Sequence, residues 1–310
     1  MELELAQWKT EVGRQKYLGA YHEALALWSA PYDACLIPTR FGPTRAIVSG
    51  PANSPVMLLL PAATGIGALQ WYPNVAALAG DHRVVALDFV AAPGGGTQTK
   101  AMIDRHDYAA WLTDVLDDLG VERASLVGSS QGGWIALNLC VMNPERVMSV
   151  VLLAPAASLQ PFSWQTQVSL RLRPPAWTAR GALRAILGPD IEIDERIARV
   201  MAAGLKHFRY QQRAVFPDVF SDTALGKVDA PVLVLIGDRE IIYDPRAALA
   251  RADTSLPHAQ TELVEGAGHL LNLQMPDLIN DRLLAFLDER ERSIPATGAA
   301  TRHGAWPITR

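Results

Sequence analysis

Five short, largely apolar runs set the limits on what this chain can fold into. They are Val56-Met57-Leu58-Leu59-Leu60, His82 to Leu87, Ala124 to Val127, Val147 to Leu153 and Pro231 to Gly237. Runs this short, without polar alternation, read as strands covered on both faces. Helical patterns lie between them. Strands alternating with helices predict an α/β fold, with a mostly parallel sheet and helices on both of its faces.

Taken in order, residues 4–28 predict a helix whose apolar positions are Leu5, Trp8, Val12, Tyr17, Tyr21, Leu25 and Trp28, ended by Pro31. Strands near Ala34–Pro38 and Arg45–Ser49, with Gly42-Pro43 between them, predict a hairpin at the sheet edge. A helix is expected from about Trp71 to Leu78, and a loop from Asp88 to Ile103. Asp104 is a natural N-cap for a helix that buries Tyr108, Trp111, Leu112, Val115, Leu116 and Leu119, and Gly120 closes it. After Pro155 the rhythm changes, and strand pattern returns only at Pro231. A helix is expected at Pro245–Ala252, a strand at Thr261–Val264 and a long helix from Leu270 to Glu291. The expected organisation is therefore an N-terminal helix (1–30), a core in two pieces (31–156 and 229–290), an inserted helical cap (157–228) and an irregular tail (291–310).

Composition removes several classes. A formal net charge of −4 gives no electrostatic case for nucleic acid. No apolar run is long enough to span a membrane. The acidic start, Met1-Glu2-Leu3-Glu4-Leu5, has no apolar core of a signal peptide. Cys35 and Cys140 fall in an expected strand and an expected buried helix, where they serve as small hydrophobes, and a reduced cytoplasmic protein is expected. No His/Cys cluster has metal-ligand spacing, so no metal is expected, and the serine chemistry read below calls for no organic cofactor. The remaining partner class is a small-molecule substrate.

The chemistry centres on Gly128-Ser129-Ser130-Gln131-Gly132, which follows the strand Ala124–Val127 and precedes an apolar helix. Gly-x-Ser-x-Gly in a strand–turn–helix setting places its middle serine at the apex of a strained turn. The two glycines let neighbouring backbone pass close by. The helix behind Ser130 aims its N-terminal amides at whatever the serine attacks. A serine hydroxyl needs a base, usually a histidine held by a carboxylate. Of the seven histidines, His269 stands out: it lies on Glu265-Gly266-Ala267-Gly268-His269, between a strand and the last helix. For the acid, the loop after Ile236 offers Asp238, Glu240 and Asp244. Asp244 precedes Pro245 and suits a helix N-cap.

Over roughly residues 34–289 the chain resembles the α/β-hydrolase superfamily. Three motifs carry the resemblance: Gly128 to Gly132, Gly266-Ala267-Gly268-His269, and Gly237-Asp238-Arg239-Glu240 where the family has Gly-x-x-Asp. The resemblance implies the α/β-hydrolase fold with a cap. It also implies Ser130 as nucleophile, His269 as base and Glu240 as acid, with Asp238 the alternative acid. Backbone N–H groups of Ala63 and Gln131 are the implied oxyanion donors. One departure stands out. Pro61-Ala62 occupies the place of the family's His-Gly, and the lost glycine narrows the conformations that set Ala63.

The activity implied is acyl transfer to water on an ester-like bond of a small, largely apolar substrate. The same fold also serves as a small-ligand receptor or as a cyclase or lyase, and these remain alternatives. Trp134, Phe162, Trp164 and Phe208 are the expected substrate-contacting residues. Trp177 and Tyr210 join them in a cap rich in arginine (Arg171, Arg173, Arg180, Arg184, Arg209). Those arginines suit either a solvated face or a cationic rim for a substrate carboxylate.

Overall fold

A computed structural model of the chain describes residues 3–172, 193–211 and 215–293. In chain order its elements are β1 (Gln7–Trp8), α1 (Glu11–Ala24), β2 (Tyr32–Ile37), β3 (Thr44–Ser49), β4 (Val56–Leu60), α2 (Val75–Leu78), β5 (Arg83–Leu87), α3 (Arg105–Asp118), β6 (Ala124–Ser129), α4 (Gln131–Met142), β7 (Val147–Leu153) and α5 (Trp164–Leu172). There follow α6 (Glu195–His207), β8 (Phe208–Arg209), α7 (Asp222–Leu225), β9 (Val232–Gly237), α8 (Pro245–Ser255), β10 (Ala259–Val264), α9 (Leu271–Gln274) and α10 (Pro276–Ser293).

The described strands other than β1 and β8 form one sheet in the order β10-β9-β7-β6-β4-β5-β3-β2. From β10 to β5 every pairing is parallel, and β3 and β2 close the edge antiparallel. Strand side chains point alternately to the two faces. Thus Val56, Leu58 and Leu60 of β4 join a core with Tyr108, Trp111, Trp134 and Leu249 from α3, α4 and α8. Met57 and Leu59 join the opposite core, with Tyr17 and Tyr21 of α1 and Ile279, Leu283 and Phe286 of α10. Both faces of the central strands are covered, which is why β4, β7 and β9 are almost wholly apolar, whereas the edge strands β2 and β10 carry polar, partly exposed residues. Asp104 caps α3 by accepting from the Asp107 N–H (3.1 Å), and Gly120, at φ +63, ends it.

Three helix expectations are corrected. The first helix is shorter than 4–28. Thr10 accepts from the Gly13 N–H and starts α1 there, while Gln7 and Trp8 pair antiparallel with Phe208 and Arg209. Trp8 packs at a tilt on Tyr17 and edge-to-face on Phe208, whereas Val12 lies largely exposed, outside the apolar stripe. The segment expected as a helix at 71–78 is a tight 3₁₀ turn over Gly67–Trp71 followed by the short α2. The long last helix is broken into α9 and α10 before Pro276, whose missing N–H and ring interrupt the ladder. Between β7 and β9 the chain leaves the sheet and includes α5, α6 and α7. Residues 173–175, Trp177, Arg180 and Arg184 of the expected cap, and the tail beyond 293, lie outside the described residues.

Candidate active site

The ends of β4, β6, β9 and β10 bring the site together. Ser130 follows β6 and sits at φ 52°, ψ −113°, a left-handed strain in a non-glycine residue. Its backbone is held on both sides. The Ser130 N–H donates to the Leu153 carbonyl (2.9 Å), and its own carbonyl accepts from Trp134 and Ala156 N–H (3.1 and 3.0 Å). The flanking glycines are required by close packing. A Cβ on Gly128 would lie 2.3 Å from the Gly132 carbonyl oxygen, and one on Gly132 would lie 2.2 Å from that of Leu60. The start of α4 is thereby pressed against the end of β4.

Ser130, His269 and Glu240 form one hydrogen-bonded chain. The Ser130 Oγ lies 2.8 Å from His269 Nε2, and His269 Nδ1 lies 2.6 Å from Glu240 Oε2. Because the carboxylate can only accept, Nδ1 carries the hydrogen and Nε2 is free to accept from the serine hydroxyl. The other carboxylate oxygen of Glu240 accepts from the Ile242 N–H (2.8 Å). All three side chains are buried. Tyr243 packs in the core nearby. Burial, followed by the charge of Glu240, pushes its phenol well above the ordinary range.

The other two acids are occupied elsewhere. Asp238 is exposed and accepts from the Gly266 N–H (2.8 Å), bracing the turn before His269. Asp244 caps α8 through the Arg246 and Ala247 N–H groups. His207 packs on Gly13 of α1 rather than on this chain of groups, and His258 is exposed.

The stretch after β4 departs from the expected pattern in an ordered way. The Ala62 N–H donates to Gln70 Oε1 (2.8 Å), and the Thr64 N–H donates back to the Ala62 carbonyl (2.8 Å). Ala63 is thus the middle of a three-residue turn. Among the described residues neither the Ala63 N–H nor the Gln131 N–H meets an acceptor. The loop is anchored further on. Tyr17 Oη donates to the Gly65 carbonyl (3.0 Å), and buried Asp88 accepts from Tyr21 Oη (3.0 Å), Ala68 N–H (2.9 Å) and Gly95 N–H (2.7 Å). Burial raises the Asp88 carboxyl against these bonds and the nearby Arg45 charge. Sequence reasoning passed over Tyr17, Gln70 and Asp88. None has a local motif, and each acts on a partner distant in sequence.

The expected substrate contacts divide. Trp134 is corrected: it is fully buried in the core beside Tyr108 and Phe220, and its Nε1 donates to the Asp218 carbonyl (3.0 Å). Phe208 is buried between Trp8 and Tyr210. Tyr210 reaches the loop after β4, with its Oη about van der Waals distance from where a Cβ on Gly65 would stand (3.6 Å). Phe162 is half-buried, and Trp164 is largely exposed at the start of α5. Among the described residues no cluster of His, Cys, Asp and Glu could hold a metal ion.

Residues 57–282 match the model of the alpha/beta hydrolase family. The chain belongs to that family. It is 34% identical to carboxylesterase YbfK of Bacillus subtilis (strain 168), across 88% of this chain and 93% of that one. The crystal structure of that carboxylesterase superposes with a TM-score of 0.85 at 33% identity, covering 89% of this chain and 98% of that chain. The crystal structure of naproxen esterase from Bacillus subtilis gives a TM-score of 0.80 at 31% identity, covering 88% and 97%.

Proposed function

We propose that this hydrolase is a serine carboxylesterase. The observation that carries the reading is the unbroken Ser130–His269–Glu240 hydrogen-bonded chain, with Ser130 held at a positive φ. Ser130 Oγ attacks the ester carbonyl carbon while His269 Nε2 takes its proton. The carbonyl π electrons move to oxygen, and the Ala63 and Gln131 N–H groups receive the charge. The tetrahedral intermediate collapses, and the alcohol leaves with the proton from His269. Water then attacks the acyl-enzyme by the same steps and releases the carboxylic acid. Glu240 holds the imidazole in the required tautomer and stabilises it when charged.

Relatives named as carboxylesterases support a small ester substrate. In this reading residues 157–228 act as the cap, with Phe162 and Tyr210 toward the acyl group and Phe208 packed behind Tyr210. Two free thiols accord with a cytoplasmic location. Among the described residues no helix is long and apolar enough to cross a membrane.

The test is fluorophosphonate labelling, mapped by peptide mass, beside a chain-length panel of p-nitrophenyl esters. The expected outcome is one adduct, on Ser130. Ser130→Ala is expected to lower kcat by several orders of magnitude with the fold intact. A folded protein with no adduct, or near-normal turnover by Ser130→Ala, refutes the reading.

A further inference from the structure

Four buried amide side chains lie between the loop that carries Ala63 and the segment that carries His269. Gln70, Asn74 and Asn272 are wholly buried and Asn280 nearly so. Amides in such surroundings are costly unless their groups are paired. Here the side-chain amides donate one to the next, with one return bond to the Gln70 backbone. The Ala62 N–H donates to Gln70 Oε1 (2.8 Å), and Gln70 Nε2 donates to Asn272 Oδ1 (3.3 Å). Asn272 Nδ2 donates to the Gln70 carbonyl (3.1 Å) and to Asn74 Oδ1 (3.3 Å). Asn74 Nδ2 donates to Asn280 Oδ1 (2.9 Å). Asn272 lies in α9, just past His269. The relay therefore ties the stretch after β4 to the stretch after β10.

We infer that Gln70 is a positioning residue for the oxyanion donor Ala63, with Asn272 as its support. The inference rests on the esterase reading above. Its starting point is Ala62, where the lost glycine leaves less backbone freedom. The Gln70 oxygen fixes the Ala62 N–H, and the Ala62 carbonyl accepts from Thr64. With both groups of residue 62 engaged, the Ala63 N–H is turned out of the loop's own hydrogen bonds. The residues just before Ala62, Leu60 and Pro61, lie against Gly132 at the start of α4. Without the Gln70 oxygen, a buried N–H has no acceptor and the turn rotates to find one. Ala63 moves with it. Charge on the substrate oxygen develops only in the transition state, so the loss falls on kcat rather than on ground-state binding.

The experiment compares kcat, KM and the affinity for a trifluoromethyl ketone, whose adduct mimics the tetrahedral intermediate. Gln70→Met keeps the side-chain length and removes the acceptor. It is expected to lower kcat roughly 10- to 100-fold, because small displacements of catalytic groups cost that much. KM should stay within about twofold, and ketone affinity should fall by the same factor as kcat/KM. In its protonated form, which burial favours, Gln70→Glu keeps an oxygen for the Ala62 N–H and an O–H donor for Asn272 Oδ1, and it is expected to recover most of the loss. Asn272→Leu should lower kcat several-fold, and the double variant should be no worse than Gln70→Met, since both act through one N–H. Ser49→Ala removes a comparably buried bond, that from Trp28 Nε1, far from the site. It should lower Tm and leave kcat unchanged.

A folded Gln70→Met protein with wild-type kcat and ketone affinity overturns the inference, as do equal losses in Gln70→Met and Gln70→Glu. Should Gln70→Met not fold, an unchanged kcat in Asn272→Leu overturns it. Failure of wild-type protein to form a Ser130 adduct instead removes the esterase reading and this inference together.

Discussion

Replacing Glu240 by Gln tests the acid at the site most sharply, because its two carboxylate oxygens already have different donors. Oε2 accepts from His269 Nδ1–H at 2.6 Å and Oε1 from the Ile242 N–H at 2.8 Å. A glutamine offers one oxygen and one NH₂. If the oxygen faces Ile242, the NH₂ faces Nδ1, and the imidazole must carry its hydrogen on Nε2, where it cannot accept from Ser130. If the oxygen faces Nδ1, two N–H donors oppose each other at Ile242, at a cost of about 1–3 kcal/mol. Either way the charge-assisted bond becomes a neutral one, which loses roughly 1–2 kcal/mol of support for the imidazolium. Together these raise the barrier by about 2–5 kcal/mol, or roughly 30- to 5000-fold in kcat/KM. Asp238→Asn is the comparison. Its remaining oxygen can still accept from the Gly266 N–H, on an exposed side chain. A change of about 0.5 kcal/mol, roughly twofold, is expected. The assay is p-nitrophenyl ester hydrolysis on proteins matched for folding by circular dichroism. Near-wild-type activity in Glu240→Gln, with a large loss in Asp238→Asn, refutes the assignment.

Other outcomes follow from packing and burial. Gly132→Ala would set a Cβ 2.2 Å from the Leu60 carbonyl oxygen and 2.8 Å from that of Pro61, both backbone. It should destabilise by about 1–3 kcal/mol in urea melts and lower kcat by displacing the loop after β4. Gly19→Ala meets nothing within 4 Å in the middle of α1 and should raise stability by about 0.5–1 kcal/mol, read as a higher Tm. Burial pushes the Cys140 thiol up to about 12. The native state therefore keeps that proton while an unfolded thiol releases it near about 8.5. The unfolded state binds fewer protons in this window, so the Cys140 contribution is whole below it and declines as pH rises, by up to about 1.4 kcal/mol per unit. Denaturant titrations of wild type against Cys140→Ala from pH 7 to 10.5 should show the gap closing. Iodoacetamide at pH 8 should spare Cys140 until the protein unfolds.

The sequence disclosed what is local. The β6–Ser130–α4 turn was legible because Gly128, Ser130 and Gly132 all act within one turn, and β4 and β7 begin and end where their apolar runs do. Tertiary pairings were not legible. Trp8 left the helix because its strand partner, Phe208, lies 200 residues on. The apolar surround of α4 gave no way to tell which face Trp134 takes, and it faces the core. Glu240 and Asp238 are two residues apart on one loop, and only the turn to Gly266 separates their roles. Gln70 reads as an isolated polar residue until Asn272, 202 positions away, is placed beside it.

The sheet order explains why so many close backbone approaches gather here. Ser130 follows β6, Glu240 follows β9 and His269 follows β10, and β7 lies between the first two. Parallel strands are about 4.8 Å apart, so three spacings put the ends of β6 and β10 roughly 14 Å apart. Yet Ser130 and His269 meet at 2.8 Å. The loop after β10 must therefore fold back across the end of β9 and toward β7. Two features allow it. Gly266 turns at φ +76, and Gly237 ends β9 without a side chain, where a Cβ would stand 2.1 Å from the Ala267 carbonyl oxygen. The fold-back is then zipped: the Asp238 N–H donates to the Val264 carbonyl (3.0 Å) and the Arg239 N–H to that of Ala267 (2.9 Å). Glu240 emerges directly beneath the imidazole it holds. Asp238 acts here without touching His269, through the Gly266 N–H that shapes the turn. Gly132 and Gly237 thus act alike: each lets the loops after two neighbouring strand ends lie closer together than the sheet spacing itself permits, while Gly266 turns one of those loops back.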